Sequence, residues 1–298
     1  MLKPVQHPFT LGDAREQVWQ AIHTVTDPEL DESIASLGFI QSVAITQPES
    51  TDSSAVTEAA VHVSFRLPTY WCAANFAFMM AEDLREHIAR IPWVREVNVE
   101  LVDHFTSEEI NRGVAAGASF TDSFPAALVK PEAAASTSAE RSGTSRRARE
   151  LHPDRDSPKP TAEDDANLAD LRRLFRLKAF QRRQYRLLRY LLDASYDRAD
   201  LLAMTITQLR ELPIIDDEGV KLCTAYLDIL PEFSRRPSSD PSPVSDTNSL
   251  AFILPNGSPL KPADLDAHLR QLRSTTINIE FNTALCTSLL KSRNIKST

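Results

Sequence analysis

The residues best placed for chemistry are Cys72 and Thr69, in the run Pro68-Thr69-Tyr70-Trp71-Cys72. This run joins a predicted strand to a predicted helix, and we expect Thr69 to cap that helix. Cys72 would then lie in the first helical turn, where unpaired N–H groups and the helix dipole favour a thiolate. Such a thiolate can bind iron or accept sulfur. The alternative is a small buried cysteine without reactivity, which is common among free cysteines.

A second candidate is the acidic turn Thr26-Asp27-Pro28-Glu29-Leu30, which is followed by Asp31 and Glu32. Carboxylates grouped in this way could bind a hard cation or a basic loop of a partner protein. The alternative is an ordinary connection, because Asp-Pro pairs often stop helices and Glu29 could cap a short helical turn.

A third group comprises Asp103, His104, Glu108 and Glu109, between a predicted strand and a predicted helix. Histidine and carboxylates together could bind iron or zinc. However, Thr106 and Glu109 have the spacing of a capping box. We therefore favour His104 as a structural histidine at the edge of the domain.

The three cysteines of the chain, Cys72, Cys223 and Cys286, lie far apart. Iron–sulfur clusters usually need four thiolates, and zinc sites usually show paired Cys or His at short spacing. We therefore expect any cluster to be transient or shared between two chains. The odd number of cysteines favours reduced thiols in the cytoplasm. No nucleotide-binding or hydrolase motif occurs, so no nucleotide cofactor and no catalytic residue are predicted.

The elements that would position these residues follow the order α-β-β-α-β-α. Asp13 with Glu16 predicts the start of the first helix, and Pro28 predicts its end. Val61, Val63 and Phe65 alternate with polar residues, as in a half-buried strand. We expect an α/β (α+β) domain with a small mixed three-stranded sheet. Its predicted elements are strands at 39–46, 61–67 and 97–101, with helices at 70–90 and from 106 or 107.

The sequence predicts three regions, at 1–125, 126–162 and 163–298. The first is the α/β domain, and the second is a Ser-, Ala- and Pro-rich linker predicted to be disordered. The third is a mainly α-helical accessory domain. It has predicted helices at 164–194, 205–211, 216–230, 262–273 and 281–293, with a short strand at 252–254.

Charge is distributed unevenly between these regions. Residues 1–125 contain 7 basic and 18 acidic side chains, which disfavours nucleic acid as their partner. The helix at 164–194 contains eight basic residues from 172 to 189, interleaved with aromatic residues. These could bind nucleic acid or an acidic partner. We favour a solvated basic face that docks on the acidic first region.

The chain lacks an apolar run of the ~20 residues that a membrane span needs, and its first residues lack an apolar signal core.

Several of these residues together resemble the iron–sulfur cluster assembly domain family of the SufT and PaaD type. They are Asp27-Pro28-Glu29-Leu30, Leu37-Gly38-Phe39-Ile40, Thr69-x-x-Cys72 and the strand at 94–101, and the resemblance covers roughly residues 12–120. It implies a compact α/β fold and a role in metallocofactor maturation. It also implies a cofactor site at Cys72 and Thr69, with Cys72, Asp27 and Glu29 as metal ligands. Ala73 stands where the family usually has proline.

The run at 66–76, with Asp103-His104-Phe105 and the segment 113–117, is similar to a subgroup that accompanies bacterial di-iron monooxygenases. The resemblance implies a maturation factor that loads iron or an iron–sulfur cluster into a client metalloprotein, with other assembly proteins or a second copy as further partners. The alternatives are an adaptor or folding chaperone without metal contact, a thiol enzyme using Cys72, and a nucleic-acid-binding regulator. We favour an assembly factor over a turnover enzyme, with neither nucleic acid nor membrane as partner.

Overall fold

A computed structural model describes residues 10–47, 58–124, 162–214, 216–234 and 249–295. They fall into two compact units, of which the first combines Met1–Val25 with Phe39–Asp170. The second combines Thr26–Gly38 with Leu171–Thr298. The linker predicted at 126–162 lies outside the described residues except for its last residue, so the predicted domain limits stay predictions.

In chain order the elements are α1 (Leu11–His23), β1 (Thr26–Asp27), β2 (Glu32–Ser33), β3 (Ile40–Thr46), β4 (Ala59–Phe65), α2 (Ala74–Ala89), β5 (Val94–Leu101), α3 (Ser107–Ala116), α4 (Phe120–Ser123), α5 (Ala162–Asp193), α6 (Arg198–Ala203), α7 (Ile206–Arg210), α8 (Asp217–Ser234), a 3₁₀ turn (Pro262–Asp264) and α9 (Leu265–Ile295).

Helix α1 begins earlier than its sequence predicted. Thr10 is the N-cap, and Asp13 is its capping-box partner: the Thr10 hydroxyl accepts from Asp13 N–H, and the Asp13 carboxylate accepts from Thr10 N–H. The prediction that Asp13 caps the helix with Glu16 is therefore wrong. The helix also ends at His23, five residues before Pro28, because the chain turns at Thr24.

The sheet of the first unit confirms the predicted α/β fold class. Its strand order is β3-β4-β5, with β3 antiparallel to β4 and β4 parallel to β5. Helix α2 lies in the connection between the two parallel strands, as such a crossover requires. In β5, Val99 and Leu101 are buried whereas Asn98 and Glu100 are exposed, which confirms the predicted alternation.

The second unit is mainly α-helical, as predicted, but its last helix was predicted incorrectly. Helix α9 runs without interruption over 31 residues, where the sequence was interpreted as two helices at 262–273 and 281–293. The reason is that residues 274–280 are β-branched and polar but include no Gly or Pro that would end a helix. The predicted strand at 252–254 contributes an isolated bridge between Ile253 and Pro259.

A buried polar network lies in the core of the second unit. The Gln184 amide nitrogen donates to the Tyr226 hydroxyl at 3.0 Å and to the Ile253 carbonyl at 2.8 Å. The Gln184 oxygen lies 2.6 Å from Nε2 of His268, which donates to it. A network whose members are all paired can stabilise one specific packing of α5, α8 and α9.

Candidate functional site

Cys72 lies on a turn between β4 and α2, not in the helix. Helix α2 begins at Ala74, and its N-cap is Ala73, which makes no side-chain capping bond. The prediction that Thr69 caps this helix is therefore wrong. Instead, the Thr69 hydroxyl oxygen lies 3.0 Å from the Cys72 sulfur. As a whole residue, Cys72 is partly exposed.

His104 holds the turn of Cys72 in place. Its Nε2 lies 2.8 Å from the Cys72 carbonyl oxygen, which can only accept, so Nε2 carries the hydrogen. Its Nδ1 then accepts from the Thr106 N–H at 3.3 Å. A second tie joins the same segments, because the Phe105 N–H donates to the Tyr70 carbonyl at 3.1 Å. His104 is itself buried. These contacts agree with the structural role favoured for His104.

The predicted capping box at α3 is absent. Thr106 is the N-cap of this helix but makes no side-chain capping bond. Its hydroxyl lies 3.1 Å from Nδ1 of His104 instead. Among the residues that the structure describes, no three His, Cys, Asp or Glu side chains lie together in a way that could hold a metal ion.

Three exposed aromatic residues, here called the aromatic surface, lie on the Cys72 turn and on the segment tied to it by His104. They are Tyr70, Trp71 and Phe105, whose exposed fractions are 41%, 74% and 40%. The rings of Tyr70 and Phe105 are 6.4 Å apart between centroids. The spacing of these residues gave no amphipathic pattern, so their exposure was not predicted. The signal that could have indicated it is two adjacent aromatic residues in a loop before a helix.

The acidic turn forms a compact loop of the second unit. One oxygen of the Asp27 carboxylate accepts from the Glu29 and Leu30 N–H groups, both at 2.9 Å. Strands β1 and β2 pair antiparallel on either side of this loop. Burial raises the pKa of Asp27 to about 6. The hydrogen bonds from the two N–H groups lower this pKa and so offset part of the rise.

Two arginines of α5 bind the acidic turn within the second unit. Arg182 donates to the Leu30 carbonyl at 3.1 Å and to the Glu32 carboxylate at 2.8 Å. Arg183 donates to the Asp31 carboxylate at 2.7 Å. Because Arg182 and Asp31 are almost fully buried, the prediction of a solvated basic face is wrong at these positions.

Glu29 also has a partner in this unit. Its carboxylate accepts from the side-chain amide of Asn282 on α9, at 3.1 Å. The predicted site residues thus fall into two groups: Cys72 and Thr69 are neighbours in the first unit, whereas Asp27 and Glu29 are neighbours in the second. The partners of the acidic turn lie about 150 or more residues further along the chain, which is why local patterns did not indicate them.

Ala73 has a backbone conformation that proline can adopt. Its φ of −60° lies in the range to which a proline ring restricts φ, and its ψ of 130° is close to the polyproline II value that proline adopts. The departure from the family's usual proline at this position is therefore compatible with the geometry around Cys72.

Comparisons with known proteins match the first part of the chain. Residues 15–101 match the family model described as "Iron-sulfur cluster assembly protein". The chain is also similar to the Fe-S cluster assembly factor HCF101, chloroplastic, of Oryza sativa subsp. japonica, with 33% identity over 92 residues. The match covers 31% of this chain and 15% of the rice protein. In the described parts of the chain, every helix is too short or too polar to span a membrane. Over residues 15–101, this chain is thus similar to the iron–sulfur cluster assembly proteins.

Proposed function

We propose that this chain assists iron–sulfur cluster assembly, with Cys72 as a transient ligand for iron or a cluster that is passed to a client protein. The observation that carries the proposal is the partly exposed residue Cys72 on a turn held by His104. This thiol lies within the segment that matches the cluster assembly family. The cluster is cargo in this proposal, and the client or an assembly partner supplies its other ligands.

The Thr69 hydroxyl can change how strongly the Cys72 sulfur binds iron. Its hydroxyl lies 3.0 Å from the Cys72 sulfur and can donate a hydrogen bond to a thiolate there. Hydrogen bonds to a ligating sulfur lower the electron density that it offers to iron and alter how strongly the iron is held. A ligand that must release its iron benefits from such a bond.

The proposed metal ligands Asp27 and Glu29 can bind a metal ion only after they lose their present hydrogen-bond donors. Their side chains accept hydrogen bonds from main-chain N–H groups and from Asn282. A metal ion would have to compete with these bonds. We therefore propose that these two carboxylates take part only when the cargo or the client displaces their present donors.

The client of the proposed transfer would bind at the aromatic surface. Trp71 is 74% exposed beside the thiol, and tryptophan is among the residues that contribute most to protein interfaces. The resemblance of the sequence to a monooxygenase-associated subgroup suggests a bacterial di-iron monooxygenase as this client, acting in the cytoplasm. Isolation of the chain with its bound proteins from the native host would test that identity.

Anaerobic reconstitution of the full chain with iron, sulfide and glutathione, whose thiol can stand in for the partner's ligands, tests the role of the Cys72 thiol. We expect Cys72→Ser to lower the bound iron and the visible charge-transfer absorption at least about tenfold. The matched control is Cys286→Ser, which changes another partly exposed thiol and should leave both unchanged. Equal iron binding by Cys72→Ser and the unaltered chain would refute the proposal.

A second candidate is an adaptor or folding chaperone for the client that makes no contact with metal. The exposed aromatic surface favours it, because such a surface can bind a client without any thiol chemistry. A client maturation assay distinguishes the two candidate functions. An adaptor tolerates Cys72→Ser but not Trp71→Ala, whereas a transfer factor loses activity with either change.

A further inference from the structure

Helix α9 has a second apolar face that is exposed. Ile277, Phe281, Leu285 and Leu289 have exposed fractions of 50%, 68%, 49% and 40%. They recur at every fourth position, so they form one row along about 18 Å of the helix. The opposite side of the same helix packs in the core, where Leu272, Ile279 and Leu290 are buried.

This row is here called the α9 row. The positions of α9 that share its side of the helix between 274 and 289 are uncharged: Ser274, Asn278, Asn282, Ala284 and Ser288. At one edge, the Asn282 amide donates to the Glu29 carboxylate. Small side chains beside an apolar row allow a second helix to approach closely. A helix that is apolar on both sides is normally covered on both sides. The α9 row is therefore suited to helix packing.

The charges that border the row indicate which occupant fits. Exposed Glu280 and Lys291 lie on the same flank of the helix. If a second copy packs antiparallel with Leu285 at the two-fold axis, Phe281 lies opposite Leu289 of the second copy. Glu280 then lies beside Lys291 of the second copy, and symmetry repeats this pair on the other half. The row and its flank are thus complementary to themselves, as a two-fold interface requires.

We propose that the chain forms a homodimer through the α9 row, with the two α9 helices antiparallel and with Glu280 paired to Lys291 across the interface. The four-residue spacing suits this arrangement, because ridges of residues at every fourth position pack into the grooves of a like helix. This proposal is independent of the role given to Cys72.

Sedimentation equilibrium of the full chain between about 1 and 100 µM tests the dimer. We expect a reversible monomer–dimer equilibrium, and Phe281→Asp should raise its Kd at least about 100-fold. The matched control is Val220→Asp, which alters an apolar residue of α8 that is 50% exposed and lies outside the row. It should leave Kd unchanged. A monomer at all concentrations would overturn the proposal.

A charge exchange tests the antiparallel register. Glu280→Lys and Lys291→Glu should each raise Kd about tenfold, because each places like charges side by side twice in the dimer. The double variant restores the opposite charges, so its Kd should return to within about threefold of the original. Because both residues are exposed, the variants should show the circular dichroism spectrum of the unaltered chain. Failure of the double variant to recover would overturn the register.

Discussion

Removal of Arg183 from its buried pair with Asp31 should destabilise the second unit. Its closest atoms are 2.7 Å apart, and the two side chains are only 13% and 5% exposed. Arg183→Met keeps the aliphatic stem but leaves the Asp31 carboxylate buried without its closest donor. Removing one partner of a buried pair costs about 3–5 kcal/mol. We expect the lower end, about 3 kcal/mol, because Arg182 lies 3.9 Å from the same carboxylate.

Two optical probes allow the effect to be assigned to the second unit. The tryptophans Trp19, Trp71 and Trp93 all belong to the first unit, so their fluorescence follows that unit. The circular dichroism at 222 nm is dominated by α5, α8 and α9. With a urea slope of about 2 kcal/mol/M, a loss of 3 kcal/mol lowers the midpoint by about 1.5 M. We expect this shift in the dichroism and a smaller one in the fluorescence.

The matched control is Arg189→Met. Arg189 pairs with Asp193 one turn along the same helix, and the side chains of this pair are 50% and 65% exposed. Such a pair contributes about 0.5 kcal/mol or less. In the Arg183→Met background, Asp31→Asn should recover part of the loss because it removes the stranded charge. If Arg183→Met costs no more than Arg189→Met, the reasoning is refuted.

Three further predictions concern single positions. Asp27→Asn should stabilise the chain at pH 7.5 by about 1–3 kcal/mol, because the raised pKa of Asp27, about 6, means that its ionised form opposes folding. The stability that protonated Asp27 gives is lost as pH rises from about 4 to about 6, so unfolding curves of variant and parent should converge below about pH 4. Ala73→Pro should raise the unfolding free energy by about 0.4–1 kcal/mol in thermal melts, and a decrease would contradict the φ of −60°. Trp71→Ala should change stability by less than about 0.5 kcal/mol but slow iron transfer to apo-ferredoxin about tenfold, and unchanged transfer would exclude the aromatic surface from docking.

The sequence predicted those parts of the fold that depend on local periodicity. The alternation in β5 correctly indicated a half-buried strand, and the residues before and after α2 indicated the crossover. In β4 the predicted alternation is wrong at Ser64, which is buried between Val63 and Phe65 in the central strand of the sheet. The continuity of α9 could also have been predicted, because its middle has no helix-breaking residue.

The candidate site was predicted by residue but not by geometry. Thr69 has the right spacing for a cap, yet its hydroxyl lies beside the Cys72 sulfur, and local sequence does not decide between these partners. The charge distribution predicted contact between the basic helix at 164–194 and acidic residues of 1–125. The particular pair of Asp31 and Arg183 could not be predicted, because it joins residues 152 positions apart. Whether Trp71 is exposed depends equally on tertiary packing.

The grouping of residues 26–38 with the C-terminal helices has a consequence for protein synthesis. Leu30 and Ile34 are buried in the finished protein, but Arg182 and Arg183 leave the ribosome about 150 residues later. At 5–20 residues per second, this loop waits roughly 8–30 seconds for its arginines. A nascent chain that stops near residue 125 leaves it permanently without them. During that interval the loop lacks the C-terminal residues with which it packs in the folded chain, so its apolar residues Leu30 and Ile34 reach their final burial only after synthesis of α5.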